Sequence, residues 1–385
     1  MSDLKIVKFG GSVFKDENSF NSILKLLDDS KTVIIVSAPF GITDRLKENA
    51  ISSEFLLMMY RRFKQLLGFD SSVLKQRVFE IECEKNFEKI LSHGERCNSL
   101  ALKLFLEKKG FDVEEILPEN INFSLTEYGE FNLDQKISKF FEEEKTYIVP
   151  GFYGVFNGQI KTIGRGGSDY TATAIAYLLD SKEVILYKDV SSVFSCDPKI
   201  VKNSVPITKI SYEVAELLSY FGAKVINYKA IKPAKLKDIN VKIKSVDSES
   251  FTLISKEMDL NVFSISYLES LILIKGYIKE IPVNAKYMDV FHRKAWIVAT
   301  EEQAKEIEQC FYNPVLIGNL SLVFVTGNIN IEKKLLILNT LYSNKCDFFV
   351  LKDDEKFIIL LVKRKNVKDA VNIIHNILFA KEAVV

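Results

Sequence analysis

The first half of the chain alternates short apolar runs with longer amphipathic segments. The apolar runs predict strands over residues 4–9, 31–36, 112–117, 146–149, 159–163 and 183–187. Apolar residues at helical spacing predict helices over residues 17–28, 46–67, 73–91, 93–109 and 171–179. Strands that alternate with helices in this way indicate an α/β fold, a three-layer αβα sandwich around a mainly parallel sheet.

The last part of the chain has a different order: strand, helix, strand, strand, helix. These elements are predicted over residues 320–326, 332–343, 346–351, 357–363 and 366–378. The βαββα order is typical of a ferredoxin-like unit.

A poorer copy of the same order precedes it, with elements predicted over residues 271–275, 286–291, 295–299 and 301–310. Its first connection contains Pro282, which argues against a helix between residues 276 and 283. We therefore predict one domain over residues 1–245 and a second region over 246–385, with residues 245–250 as a linker.

Composition narrows the classes of function. The chain of 385 residues is 47% hydrophobic and 27% charged, and its net charge of +1 argues against nucleic acid as a main partner. Lys5 and Lys8 interrupt the first apolar run, so we expect no signal peptide, and no apolar segment is long enough to span a membrane. Five dispersed cysteines fit a reducing cytosol, and three histidines are too few for chemistry built on a histidine base.

Glycine-rich or polar residues follow four of the predicted strands. They are Gly10-Gly11, Ser37, the loop 164–167 and Lys188-Asp189. In a parallel sheet with helices on both sides, ligands bind outside the carboxyl ends of the strands. One site assembled from these four loops is therefore expected.

The stretch 164–172, Gly-Arg-Gly-Gly-Ser-Asp-Tyr-Thr-Ala, lies between a predicted strand and a predicted helix. Its glycines let backbone amides approach a ligand closely, and a helix N-terminus favours an anion. Ser168 or Asp169 is the expected N-cap, which leaves Arg165 free to reach out of the loop. The alternative is a glycine-rich turn with a surface arginine.

Two charged residues flank other glycines at predicted element ends. Lys8 precedes Gly10 at a strand end, where its ammonium group can face phosphate oxygens or simply solvent. Glu95 lies at a helix start, where it can hold a substrate ammonium group or satisfy helix-terminal amides. If Arg165 takes a carboxylate, these residues describe a site for a zwitterionic amino acid beside a phosphate donor. The sequence contains no P-loop motif.

The motifs together resemble the aspartate kinase (aspartokinase) family of the amino acid kinase superfamily. The resemblance rests on Lys-Phe-Gly-Gly-Ser at 8–12, Val-Ser-Ala at 36–38, Gly-Ile-Thr at 41–43, Ser-His-Gly-Glu at 92–95, the stretch 164–172, Lys-Asp-Val at 188–190, Asp-Pro at 197–198 and Phe-Gly-Ala-Lys-Val at 221–225. It covers residues 5 to about 244, and the tail resembles the family's tandem ACT domains, with a degenerate first copy.

The resemblance implies roles for individual residues. The residues expected to act in catalysis are Lys8, Arg165 and Asp169. Those expected to bind the substrate are Ser37, Thr43, Glu95, Arg165 and Ser168. Those expected to bind the nucleotide are Lys8, Gly10, Gly11, Ser12, Lys188, Asp189, Phe194, Lys199 and Lys224. No protein side chain is predicted as a metal ligand.

The reaction implied is the transfer of phosphate from ATP to the side-chain carboxylate of L-aspartate, with Mg²⁺ bridging the phosphates. It is the first step toward lysine, threonine and methionine. We also expect a cytoplasmic homodimer joined through the ACT-like region and open to an amino-acid effector, with neither nucleic acid nor membrane as a partner.

The sequence departs from the family pattern in several places. Lys199 stands where an arginine is common, and Tyr187 where a tryptophan is common. The first ACT-like copy lacks the family's usual Gly-Phe-Leu-Ala and Asp-x-Ile-x-Thr-Ser stretches, so the effector stays open. Two alternative functions are a related kinase acting on glutamate or acetylglutamate, and a catalytically silent amino-acid sensor.

Overall fold

The structure is a computed structural model. It describes residues 4–27, 31–48, 51–142, 144–164, 166–223, 226–257, 263–282 and 284–379. The chain forms two compact units. The first contains the described residues within 1–193, 208–215 and 226–258, and the second those within 194–207, 216–225 and 259–385.

Most predicted strands lie close to their predicted positions, two are much longer than predicted (264–278 against 271–275, and 311–326 against 320–326), and several others were not predicted. They are β1 (Lys5–Phe9), β2 (Thr32–Val36), β3 (Val113–Glu115), β4 (Thr146–Pro150), β5 (Tyr153–Phe156), β6 (Gln159–Thr162), β7 (Glu183–Lys188), β8 (Val193–Phe194), β9 (Pro206–Ile207), β10 (Lys209–Ser211), β11 (Asn240–Ser245), β12 (Phe251–Ser255), β13 (Ser264–Ile278), β14 (Tyr287–Phe291), β15 (Lys294–Thr300), β16 (Phe311–Thr326), β17 (Phe348–Asp354) and β18 (Phe357–Lys363).

The α-helices alternate with these strands in the first unit and cover the sheet of the second. They are α1 (Ser19–Leu24), α2 (Ile42–Lys47), α3 (Ser53–Leu67), α4 (Ser72–Phe79), α5 (Phe87–Leu91), α6 (His93–Lys108), α7 (Gly167–Leu178), α8 (Tyr212–Tyr220), α9 (Tyr228–Leu236), α10 (Glu301–Glu308), α11 (Ile331–Ser343) and α12 (Val367–Leu378).

The first unit is built on a sheet with the strand order β10-β12-β11-β7-β1-β2-β4-β3. Its pairs are parallel except β11 with β12. Side chains alternate across each strand: Val7 and Phe9 face the apolar cluster that contains α3 and α6, whereas Lys8 faces α7. Helices therefore cover both faces, and the predicted three-layer sandwich is confirmed.

Two predicted helices are each divided in the structure. The segment predicted over 46–67 contains the end of α2 and a separate α3, and the segment over 73–91 contains α4 and α5. The divisions occur where side chains cap new helices: Ser52 accepts a hydrogen bond from the amide of Phe55, and Asn86 from those of Glu88 and Lys89. Apolar spacing did not reveal these caps.

The second unit contains an antiparallel sheet with the strand order β14-β15-β13-β16-β18-β17. The predicted βαββα order appears as β16, α11, β17, β18 and α12, and the first part of β13 supplies the fourth strand of this ferredoxin-like half. The other half uses β14, β15 and α10, and its described residues between β13 and β14 contain no helix. The fold therefore has the predicted ferredoxin-like pair, with a helix-poor first copy.

The segment predicted as a linker forms a turn instead. β11 and β12 pair antiparallel with Val241 opposite Ile254, and residues 246–250 connect them. A division of the chain at residues 245/246 stays a prediction.

The core of the first unit provides a test of the fold. Phe63 on α3 is fully buried, whereas Leu57 on the same helix is 37% exposed. We expect Phe63→Ala to lower the free energy of unfolding by about 3–5 kcal/mol, because a large buried side chain leaves a cavity. Leu57→Ala serves as the control and is expected to cost about 0.5 kcal/mol. Equal urea midpoints for the two variants would contradict this packing.

Candidate active site

The loops at the carboxyl edge of the sheet are joined to one another by backbone hydrogen bonds. The amide of Gly10 donates to the carbonyl of Tyr187 at 3.0 Å, and the amide of Ser37 donates to the carbonyl of Phe9 at 3.1 Å. The amide of Gly151 donates to the carbonyl of Val36 at 2.9 Å. Because β7, β1 and β2 are adjacent, the three predicted loops that follow them meet at one edge. The fourth predicted loop, 164–167, follows β6, which pairs with β5 in a separate two-stranded sheet, and the loop after β4 takes a place at the edge that was not predicted.

A buried cluster of three charged side chains lies at this edge. Asp169 lies in the first turn of α7 and forms two ion pairs. One carboxylate oxygen lies 2.7 Å from the ammonium nitrogen of Lys8 on β1, and the other lies 2.7 Å from that of Lys188 on β7. The side chains of Lys8 and Asp169 are only 7% and 3% exposed. Two predicted nucleotide-binding lysines and one predicted catalytic carboxylate are therefore in direct contact.

The electrostatics of the cluster favour a carboxylate held between two ammonium groups. Burial alone raises the pKa of Asp169, but Lys188 and Lys8 outweigh it and hold that pKa well below its ordinary value. Burial lowers the pKa of Lys8, and Asp169 opposes that change. With both lysines protonated, the cluster carries one positive charge in excess, which suits it to bind phosphate.

Close backbone packing requires the second glycine of the pair after β1. A Cβ on Gly11 would lie 2.4 Å from the carbonyl oxygen of Ala38, so no larger residue fits there without displacement of the loop. A Cβ on Gly10 would lie 3.5 Å from the Lys8 ammonium nitrogen. The backbone of the glycine pair, without side chains, therefore lies beside the buried lysine. This is the arrangement expected if backbone amides and an ammonium group bind one anion.

The entry to α7 differs from the prediction in one detail. The N-cap is Gly166, with a φ of 75°, so neither Ser168 nor Asp169 caps the helix. A glycine adopts this left-handed conformation at little cost, which allows the helix to begin earlier. Ser168 packs against Gly151, the residue that follows β4. A Cβ added to Gly151 would lie 2.6 Å from the Cβ of Ser168.

Glu95 lies buried at the start of α6. Burial raises the pKa of its carboxyl to about 8, although the amides of Ala38 and of Glu95 itself and the charge of Lys8 act in the opposite direction. Its Oε2 atom has no hydrogen-bond partner within the described part of the chain. A buried carboxyl group with an unused oxygen is suited to accept a cationic ligand.

A cleft of about 670 Å³ opens at the same edge. It is lined by Ser12, Lys15, Phe40, Gly41, Ile42, Arg45, Met58, Arg62 and Asp189. The cleft therefore brings together two predicted nucleotide contacts, Ser12 and Asp189, with a basic wall. Thr43 lies half-buried on α2, next to the lining residue Ile42.

Four predicted site residues are not placed by this geometry. Arg165 and Lys224 lie outside the described residues. Phe194 and Lys199 belong to the second unit. Their roles stay predictions.

Two residues that support the site were missed in the sequence. Asn98 is fully buried on α6, and its side-chain amide donates to the carbonyl of Ser37 at 2.8 Å. Its position three residues after Glu95 places both on one helix face, which is the signal that was available. Gly151 directly follows Pro150 at a strand end, a position comparable to that of the glycines that were recognised.

Among the described residues, no group of three or more His, Cys, Asp and Glu side chains is arranged to hold a metal ion. No helix in the described ranges has the length and apolar character needed to cross a membrane.

Comparison with known proteins places this geometry in context. The Amino acid kinase family matches residues 3–245. The aspartokinase of Bacillus sp. (strain MGA3) is 30% identical over 271 residues, which cover 67% of this chain and 59% of that protein. The matched region spans 59% of that protein and 60% of the aspartokinase of Geobacillus stearothermophilus, about three fifths of the length of each.

Solved structures share the fold over nearly the whole chain. Escherichia coli aspartokinase III, solved with aspartate and ADP in the R-state, has a TM-score of 0.83 at 19% identity and covers 98% of this chain and 100% of its own. Clostridium acetobutylicum aspartate kinase has a TM-score of 0.75 at 23% identity and covers 99% of this chain and 100% of its own.

The buried ion cluster can be tested by a double-mutant cycle. Asp169→Asn is expected to lower the free energy of unfolding by about 3 kcal/mol, because Lys8 then stays buried without its ionic partner. Lys8→Met combined with Asp169→Asn is expected to cost at least about 1 kcal/mol less than the sum of the single changes.

The exposed pair Lys64–Asp70 provides the control, since a cycle there is expected to give no measurable coupling. Additive effects at Lys8 and Asp169 would show that the two side chains do not interact in solution.

Proposed function

Because the chain belongs to the amino acid kinase family, which matches residues 3–245, we propose that it transfers the γ-phosphoryl group of ATP to the side-chain carboxylate of L-aspartate. The products are ADP and 4-phospho-L-aspartate. The observation that carries the proposal is the buried Lys8–Asp169–Lys188 cluster at the glycine-rich edge of the sheet. We assign catalysis to residues 1–245.

The proposed chemistry needs charge neutralisation more than proton transfer. A carboxylate nucleophile carries no proton to remove, so positioning and electrostatic stabilisation are sufficient. ATP enters as its magnesium complex. Lys8 and Lys188 then oppose the charge that develops on the phosphoryl oxygens, with the backbone around Gly10 and Gly11 beside them. Asp169 holds both ammonium groups in place.

The proposed aspartate site uses groups on several loops. Glu95 binds the amino group: burial disfavours the carboxylate when it is alone, and an ammonium partner compensates for its buried charge. Arg165 binds a carboxylate, while Ser168 positions the reacting end. Ser37 and Thr43 line the same site. These roles are carried over from the family resemblance.

Contacts with the rest of the nucleotide are assigned to Ser12, Asp189, Phe194, Lys199 and Lys224. Of these, Ser12 and Asp189 line one cleft of the first unit, which supports their assignment. The relatives named aspartokinase, and the structure solved with aspartate and ADP, support the choice of both substrates.

Assembly and regulation are further parts of the proposal. Helix α11 exposes Ile331, Leu335, Leu336 and Tyr342, each more than half exposed at 65%, 52%, 53% and 81%. Such a face supports a homodimer through the ACT-like region. An amino-acid effector and a cytoplasmic location stay predictions.

The substrate can be tested with a hydroxylamine trap for acyl phosphates. We expect hydroxamate from L-aspartate but not from L-glutamate or N-acetyl-L-glutamate when the purified chain is given magnesium and ATP. Lys8→Met is expected to lower kcat by about 100- to 1000-fold. Lys5→Met, at the opposite end of β1, is the matched control. Turnover of glutamate or acetylglutamate would overturn the choice of substrate, and no turnover at all would favour the sensor.

The role of Glu95 predicts a proton linkage. Burial raises the pKa of its carboxyl group to about 8, so this group is mostly protonated at pH 7 in the ligand-free protein. An ammonium ligand, in contrast, requires the ionised carboxylate. Aspartate binding should therefore release about one proton at pH 7, and affinity should rise with pH up to the pKa by about tenfold per unit. Calorimetry in two buffers with different ionisation enthalpies measures the release.

Glu95→Gln should abolish the proton release and weaken aspartate binding. An unchanged release in that variant, or none in the parent chain, would remove Glu95 from the amino-group site.

A further inference from the structure

The segment of residues 194–207 is part of the core of the second unit. Cys196 and Val201 are 2% and 0% exposed, and they lie in the apolar cluster formed by β16, β18, α11 and α12. The resemblance implies nucleotide contacts for Phe194 and Lys199, and we call the segment that they bound, residues 194–199, the nucleotide loop. This loop is therefore anchored in the ferredoxin-like fold of its own unit.

Ser195, the second residue of the nucleotide loop, is fixed by several hydrogen bonds. Its amide donates to the carbonyl of Val205 at 2.8 Å, and its carbonyl accepts from the amide of Ile265 at 2.7 Å. Its hydroxyl oxygen accepts from the amide of Val205 at 2.9 Å and is hydrogen-bonded to Nε2 of His375, also at 2.9 Å. Backbone and side chain of Ser195 are thus both fixed.

His375 reaches Ser195 from α12 and is fully buried. Its ring stacks on Phe379 with centroids 4.4 Å apart and an interplanar angle of 18°. Burial lowers the pKa of His375, which favours the neutral ring. The side chain is held by packing on one side and by one hydrogen bond to the loop on the other.

The far end of the loop is also fixed within this unit. Asp197 accepts from the amide of Lys199 through its side chain at 2.9 Å and from the amide of Ile200 through its carbonyl at 3.0 Å. The Tyr267 hydroxyl donates to the Asp197 carboxylate at 3.5 Å. Ser195 therefore lies between Phe194 and a turn that already has a defined shape.

We propose that His375 is a positioning residue for nucleotide binding, which acts through Ser195 to hold the nucleotide loop in one conformation. The proposal rests on the proposed function, which assigns Phe194 and Lys199 to the nucleotide. A buried hydrogen bond that links a helix to a loop reduces the conformational freedom of that loop before the ligand arrives. Its loss should weaken ATP binding while leaving the aspartate site unchanged.

The test compares four variants in the hydroxamate assay, with separate titrations of ATP and aspartate. His375→Phe keeps a ring to stack on Phe379 but removes the nitrogen, and Ser195→Ala removes the hydroxyl. Each is expected to raise KM for ATP about tenfold, the effect of one buried hydrogen bond, with KM for aspartate and kcat within about twofold.

His375→Gln places an amide nitrogen near the position of Nε2 and should restore KM for ATP to within about threefold of the parent chain. Ser321→Ala is the matched control, because Ser321 is a fully buried serine on β16 whose hydroxyl has no hydrogen-bond partner among the described residues. This control should leave both KM values unchanged.

Equal increases in KM for ATP and for aspartate, or failure of His375→Gln to restore ATP binding, would overturn the positioning role. If His375→Phe does not fold, Ser195→Ala decides on the same criterion. If the parent chain turns over no substrate, the proposed function fails. Calorimetric titration with ATP then still tests the positioning role of His375. Equal affinities for ATP in the parent chain and in Ser195→Ala would overturn that role.

Discussion

The arrangement of the site depends on one ionic contact, the carboxylate of Asp169 between the ammonium groups of Lys8 and Lys188. Each lysine lies on a different strand, and the carboxylate lies on a helix that covers the sheet. A buried lysine without such a partner would lose its proton or destabilise the fold. The carboxylate therefore makes it possible to keep two cations at the edge where phosphate is expected.

Close backbone packing imposes the second constraint. Gly11 leaves no room for a side chain against Ala38, so the loops after β1 and β2 are in direct contact. This contact brings the amide of Ala38 to the carboxyl group of Glu95. The loops of the site are therefore packed against one another without a ligand, and electrostatic catalysis depends on such preorganised groups.

Much of the fold could be predicted from apolar spacing, because strands covered on both faces are continuous apolar runs, as in β2. The boundaries of helices were harder, since a single side chain such as Ser52 or Asn86 begins a new helix inside an amphipathic stretch. The site residues could be listed from motifs, but their pairing could not. Lys8 and Asp169 are far apart in sequence, and the packing of α7 against β1 brings them together. Asn98 carried no motif, and its contact with Ser37 depends on how α6 packs against the sheet.

The central claim is that Asp169 acts by holding the lysines and not by its charge alone. The most direct test is the affinity of a non-hydrolysable ATP analogue for the parent chain and for Asp169→Asn, measured by calorimetry at a temperature where both are folded. Removal of a negative charge beside the phosphates would by itself tighten binding. Our account predicts binding about tenfold weaker, because the ammonium groups lose their fixed positions. Equal or tighter binding by Asp169→Asn would contradict it.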